Sequence, residues 1–157
     1  MNKAVFLDRD GVINNDTGHY YIWQTKDFVM NERVVPSLRK LQEAGYIFIV
    51  ISNQGGIAKG EYSKKDADAV NAKMIGDLKK EKIIITEVYY CPHHSTHGKC
   101  LCRKPDSLMI EKAMARFDID PAQSFFIGDS DRDTQAAVKV GLRVLQIKKN
   151  ESIEPFC

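Results

Sequence analysis

Apolar runs of four to six residues alternate along this chain with longer stretches that repeat at helical spacing. The first run is Ala4-Val5-Phe6-Leu7. Residues 11–31 follow without a clear period and are rich in Asn, Asp, Gly and aromatics, including Tyr20, Tyr21 and Trp23. Such a stretch reads as a long functional flap. A helix is predicted from about Glu32 to Ala44, with Pro36 near its start and Gly45 just past its end. Tyr46 to Ile51 is unbroken β-branched and aromatic sequence, the mark of a strand buried on both faces and hence of a parallel sheet. Ser63-Lys64-Lys65-Asp66 has the form of a capping box, and Ala67, Val70, Met74, Ile75 and Leu78 continue it as a helix. Ile83 to Tyr89 reads as a third strand, Ser107 to Phe117 as a helix and Ser124 to Ile127 as a fourth strand. Thr134 to Val140 reads as a short helix closed by Gly141, and Leu142 to Ile147 as a fifth strand. The tail from Lys148 is polar and expected to be loose.

Strands alternating with crossover helices make an α/β protein, a parallel sheet with helices on both faces. Ligands of such sheets bind outside the carboxyl ends of the strands. That rule selects Asp8 to Asp10, Ser52 to Gly56, the loop from Cys91 to Pro105, and Asp129 to Asp133.

Composition narrows the function classes. The 157 residues are 43% hydrophobic and 28% charged, which suits one soluble domain spanning 1–157. Lys and Arg total 23 against 21 Asp and Glu, so the basic footprint of a nucleic-acid binder is missing. No apolar run is long enough to span a bilayer, and charge enters within the first residues, so neither a membrane anchor nor a signal peptide is expected. A cytoplasmic monomer acting on a small metabolite is the simplest expectation. Three of the four cysteines, Cys91, Cys100 and Cys102, crowd together with His93, His94 and His97, a pattern that suggests metal rather than disulfides. The fourth, Cys157, is the last residue.

The strand ends carry complementary chemistry. Asp8 and Asp10 can converge on one point, where two carboxylates call for a hard cation such as Mg²⁺. Ser52-Asn53-Gln54-Gly55-Gly56 offers neutral donors to an oxyanion. Arg103 and Lys104 are cations for phosphate. Asp129, Asp131 and Asp133 resemble cation ligands, but the helix-loop-helix context, central Gly and closing Glu of a calcium loop are missing. Each motif alone is common; together they assemble what phosphoryl transfer through Mg²⁺ requires.

Asp8-Arg9-Asp10-Gly11-Val12, Ser52-Asn53, Lys104 and Gly128-Asp129-x-x-x-Asp133 resemble, in order, the four motifs of the haloacid dehalogenase superfamily. Cys91-Pro92-His93-His94 to Cys100-Leu101-Cys102-Arg103-Lys104-Pro105 is similar to its zinc-loop subgroup, which contains the D-glycero-D-manno-heptose-1,7-bisphosphate 7-phosphatases and the histidinol-phosphatases. The resemblance implies a three-layer, Rossmann-like fold without a large cap and with a zinc loop at 91–102. It implies Asp8 as nucleophile through an aspartyl-phosphate, Asp10 as general acid and base, and Ser52 and Lys104 on the phosphoryl group. Asp8, Asp10 through its carbonyl, and Asp129 would hold Mg²⁺, with Asp133 behind them. Asp16, Thr17, Gly18 and His19 in the flap, with Asn53, Gln54, Gly55 and Arg103, would meet the rest of the substrate. Cys91, His93, Cys100 and Cys102 would hold a structural Zn²⁺, His93 being chosen over His94 and His97 by the resemblance. Between the two activities, the segments from Ser52 to Gly60 and Tyr90 to His94 look more like the heptose enzymes. The short span between His93 and Cys100 is similar to the histidinol-phosphatases, and Ser130 stands where many heptose enzymes carry Lys.

Overall fold

The three inner strands of the central sheet are buried on both sides, so the sheet needs a layer of helices on each face. A computed structural model describes residues 1–156 and shows this arrangement. Cys157 lies outside the described residues. The strands are β1 (Ala4–Leu7), β4 (Ile47–Asn53), β5 (Ile85–Cys91), β6 (Phe125–Gly128) and β7 (Arg143–Gln146). They lie in the order β5-β4-β1-β6-β7, and all four pairings are parallel. The strand-end loops after β1, β4, β5 and β6 therefore open along one edge.

Alternating residues feed two cores. Val5, Leu7, Phe48, Val50, Phe125 and Ile127 face α1 (Val34–Glu43) and α2 (Lys64–Lys80). Ala4, Phe6, Ile49, Ile51 and Phe126 face α3 (Leu108–Arg116) and α4 (Asp131–Lys139). The unbroken apolar runs follow from this two-sided burial. The box at Ser63 and Asp66 caps α2 as expected.

Three expectations need revision. The flap at 11–31 is more ordered than its lack of period suggests. It pairs β2 (Asn14–Asn15) with β3 (Val29–Met30) and anchors Val12, Ile13, Ile22 and Phe28 in the core. Helix α4 starts at Asp131 instead of Thr134, because Ser130 and Asp133 form a second capping box that the acidic spacing disguised. The tail is not loose. Ile147 and Ile153 are buried on either side of a polar strap, and the Asn150 amide N–H donates to the Gly11 carbonyl at 2.8 Å.

Because Ile153 is 1% exposed, Ile153→Ala is expected to cost about 2–4 kcal/mol in urea unfolding. A loose tail would give no measurable change.

Candidate active site

The chain leaves β1 into Asp8, whose backbone N–H donates to the Ile127 carbonyl of β6 at 3.2 Å. This seats Asp8 at the centre of the open edge. Lys104 arrives from the loop after β5. Its ammonium is 3.1 Å from Asp8 Oδ1 and 2.6 Å from Asp133 Oδ1, and it donates to the Ile51 carbonyl at 2.8 Å. Burial alone would depress the Lys104 pKa, but Asp8 and Asp133 together hold it above the ordinary value. Asp133 also ties down α4, because its Oδ2 accepts from the N–H groups of Asp129 and Ser130 at 3.1 and 3.3 Å. Gly128 is required for this approach: a Cβ there would sit 2.5 Å from the Asp133 side chain.

Asp8, Asp129 and Asp133 bring carboxylate oxygens within 4.8 Å of one another. Burial, then Asp133, push the Asp8 carboxyl well above its ordinary range, against the pull of Lys104. Burial, then Asp133, raise Asp129 in the same way. One ammonium cannot neutralise three clustered carboxylates, so the set fits a hard divalent cation with oxygen ligands.

Asp10 is held differently. Arg9, fully buried, grips its two oxygens through Nε and Nη2 at 3.0 and 3.1 Å, and Asn14 Nδ2 donates to Oδ1 at 3.0 Å. The same guanidinium reaches Asn71 of α2 and the Ile22 carbonyl of the flap, both at 2.9 Å. Arg9 thus fixes the Asp10 carboxylate between sheet, helix and flap. The sequence carries no sign of this role beyond a charge between two acids.

A cleft of about 280 Å³ opens over these groups. Asp16, His19, Ser52, Asn53, Gly55 and Arg103 of the expected set line it. Gln54, Thr17 and Gly18 lie elsewhere, and the Asn53 amide, though Asn53 lines the cleft, is already engaged. Gln54 is buried behind Ser52, donating to its Oγ at 2.7 Å and accepting from the Tyr62 hydroxyl. The Asn53 amide is occupied on both sides by the backbone of Lys104, at 3.0 and 3.1 Å. Thr17 points to the strap, where its Oγ1 accepts from Asn150 Nδ2 at 3.2 Å. Gly18 takes a left-handed turn at φ +83° before His19. The cleft also gains residues that motif reading missed: Tyr20, Tyr21, His94, Ser130, Arg132 and Lys149. Tyr20 and Tyr21 of the flap therefore reach the site, packed with Lys59, whose ammonium lies 5.4 and 5.7 Å from their rings, whereas Trp23 stacks on Tyr62.

Beside the cleft, Cys91, His93, Cys100 and Cys102 place four ligand atoms within 4.8 Å of one another. Cys91 Sγ is 3.7 Å from Cys100 Sγ and 2.9 Å from Cys102 Sγ, and His93 Nδ1 is 3.3 Å from both Cys91 and Cys102. A tetrahedral zinc with Zn–S of about 2.3 Å spaces its sulfurs about 3.8 Å apart, so the cluster has the size and donor set of a closed zinc shell. Burial raises the Cys91 and Cys102 thiols, the state from which a bound cation would draw thiolates. His94 and His97 turn away to Thr96, so His93 is the imidazole that joins the three cysteines.

The chain has counterparts among known proteins. Residues 3–148 match the family model described as polynucleotide kinase 3 phosphatase. The D-glycero-beta-D-manno-heptose-1,7-bisphosphate 7-phosphatase of Haemophilus influenzae is 39% identical over 153 residues, covering 92% of this chain and 82% of that protein. The D-glycero-alpha-D-manno-heptose-1,7-bisphosphate 7-phosphatase of Campylobacter jejuni is 37% identical over 152 residues, covering 97% and 86%. Among solved structures, a D,D-heptose 1,7-bisphosphate phosphatase from B. bronchiseptica, complexed with magnesium and phosphate, superposes with a TM-score of 0.84 at 30% identity, covering 92% of this chain and 79% of that one. The ordered strand-end motifs, the parallel sheet that carries them and this matched length make the chain a member of the polynucleotide kinase 3 phosphatase family of haloacid dehalogenase-type phosphatases.

Proposed function

We propose that the chain is a magnesium-dependent phosphomonoesterase that removes the 7-phosphate of D-glycero-D-manno-heptose 1,7-bisphosphate. The observation that carries this reading is the convergence of Asp8, Lys104 and Asp129 under a cleft that Asp10 and Ser52 also line. The heptose names of relatives at 35–39% identity supply the substrate. The family description names a polynucleotide phosphatase, yet the near-neutral charge gives no electrostatic footprint for nucleic acid. Histidinol-phosphate hydrolysis, suggested by the short span after His93, draws no support from these relatives. We read the chain as a single capless domain, acting as a monomer in the cytoplasm, where clustered thiols stay reduced. Its product would feed bacterial nucleotide-activated heptose synthesis, for lipopolysaccharide or surface-layer glycans.

Asp8, the Asp10 carbonyl and Asp129 would hold the Mg²⁺, which when bound neutralises the carboxylates and the phosphoryl oxygens they face. The Asp8 carboxylate attacks phosphorus and forms an acyl phosphate, breaking the bond to the sugar oxygen. Asp10, held by Arg9 and Asn14 with an oxygen toward the cleft, gives its proton to that leaving oxygen. It then takes a proton from the water that hydrolyses the intermediate. Ser52 and Lys104 hold the transferring oxygens, and Asp133 keeps Lys104 aimed. Asn53 acts by locking the backbone of Lys104, and Gln54 by orienting the Ser52 hydroxyl.

Phosphate release is expected to favour one anomer of heptose 1,7-bisphosphate over histidinol phosphate; the reverse preference overturns the substrate assignment. Asp8→Asn is expected to abolish turnover while leaving the circular dichroism spectrum unchanged, and full activity would exclude the covalent route. Ser52→Ala is expected to lower kcat roughly 10²–10³-fold, the loss of one donor to the developing charge.

Zinc in the Cys91–Cys102 cluster would be structural, since four protein ligands leave no open position for water. Metal analysis is expected to find one zinc per chain, and Cys100→Ser to reduce both zinc content and melting temperature. A metal-free protein with an unchanged melting temperature would end this assignment.

A further inference from the structure

Of the groups lining the cleft, Lys149 comes from the least expected place, the strap beyond the last strand. The strap is built to deliver it. Asn150 adopts a left-handed φ of +65° and donates its N–H to the Gly11 carbonyl. Its Oδ1 accepts from the Asp16 N–H at 3.1 Å, and its Nδ2 donates to Thr17. Ile147 and Ile153 anchor the strap on both sides. The Lys149 stem crosses Gly11 so closely that a Cβ there would lie 2.9 Å from Lys149 Cγ. The ammonium ends 2.8 Å from Asp16 Oδ2 and also feels Asp129 and Asp10. Asp16 is 5% exposed, while the Lys149 side chain is 58% exposed.

We propose that Lys149 and Asp16 form the subsite that reads the hydroxyls of the sugar leaving group. This rests on the sugar-phosphatase reading given above. An ammonium and a carboxylate in contact present a donor beside an acceptor, which matches two neighbouring hydroxyls, each able to accept from one and donate to the other. A second phosphate does not suit the same place, because Asp16 would repel it. That phosphate has a better partner across the cleft, where Arg103, Arg132 and His94 gather without a carboxylate partner among the described residues. The site therefore separates a zwitterionic side for hydroxyls from a cationic side for an anion.

The test is the ratio of kcat/KM for heptose 1,7-bisphosphate to that for phenyl phosphate, which keeps the reacting phosphate and lacks the polyol. The wild type must first prefer the sugar; without that preference the functional reading falls and this one with it. Given the preference, Lys149→Gln is expected to lower the ratio about tenfold or more, mainly through KM, the size of one lost charged hydrogen bond. Lys149→Arg is expected to restore most of it. Equal losses on both substrates would make Lys149 a support of the strap or of the acidic cluster, and no loss would make it a bystander; either overturns the proposal. Heptose 7-phosphate decides between hydroxyl and anion. An undiminished effect of Lys149→Gln on this monophosphate supports hydroxyl reading, and its disappearance would show that Lys149 holds the second phosphate.

Discussion

The ammonium of Lys104 is the contact on which the rest of the molecule converges. It is buried among Asp8, Asp133 and the Ile51 carbonyl, and each comes from a different strand end or helix. A buried charge with a missing partner is costly, so all three partners must be delivered together. That demand explains much of the surrounding structure. Asn53 clamps the Lys104 backbone, the second capping box sets Asp133 at the start of α4, and Gly128 clears the space between them. The cysteine cluster ties the chain to the end of β5 two residues before Lys104.

A second buried cation does for the neighbouring acid what Lys104 does for Asp8. Arg9 joins Asp10, Asn71 and the Ile22 carbonyl, so the carboxylate, the helix α2 and the flap share one guanidinium. The two cations sort the acids of the site. Asp10 is held by its own arginine, whereas Asp8 and Asp129 remain in a mutually repulsive group with Asp133. The repulsion among carboxylates thus lies on one side of the cleft and the arginine-held acid on the other.

What the sequence discloses follows the physics of each signal. Strands buried on both faces announce themselves as unbroken apolar runs, and Asp8, Ser52 and Asp129 stand where such strands end, with Lys104 in the loop that follows another. The tail is disguised because its two core residues, Ile147 and Ile153, are separated by Lys148-Lys149-Asn150-Glu151-Ser152, which has the composition of a free end. Arg9 is disguised because an arginine reads as surface until Asn71 and Ile22 are brought beside it. The start of α4 is hidden because Asp131 and Asp133 look like cation ligands before they look like a helix N-terminus. For the tail and for Arg9 the missing information is a contact between residues far apart in sequence; for α4 it is a local choice between two roles for the same acids.

The position of β1 has a consequence for the order in which the protein can form. Of the five strands of the sheet it comes first in chain order and lies in the middle, and its Ala4 N–H waits for the Ser124 hydroxyl, 120 residues later. Val5 and Leu7 likewise pair with Phe125 and Ile127 of β6. An emerging chain can join β1 to β4 early, but the other edge of β1 stays unpaired until β6 has been synthesised. Closing such a distant parallel pair is slow. Asp8, one residue beyond β1, thus acquires its Ile127 partner only once β6 has been added to the sheet.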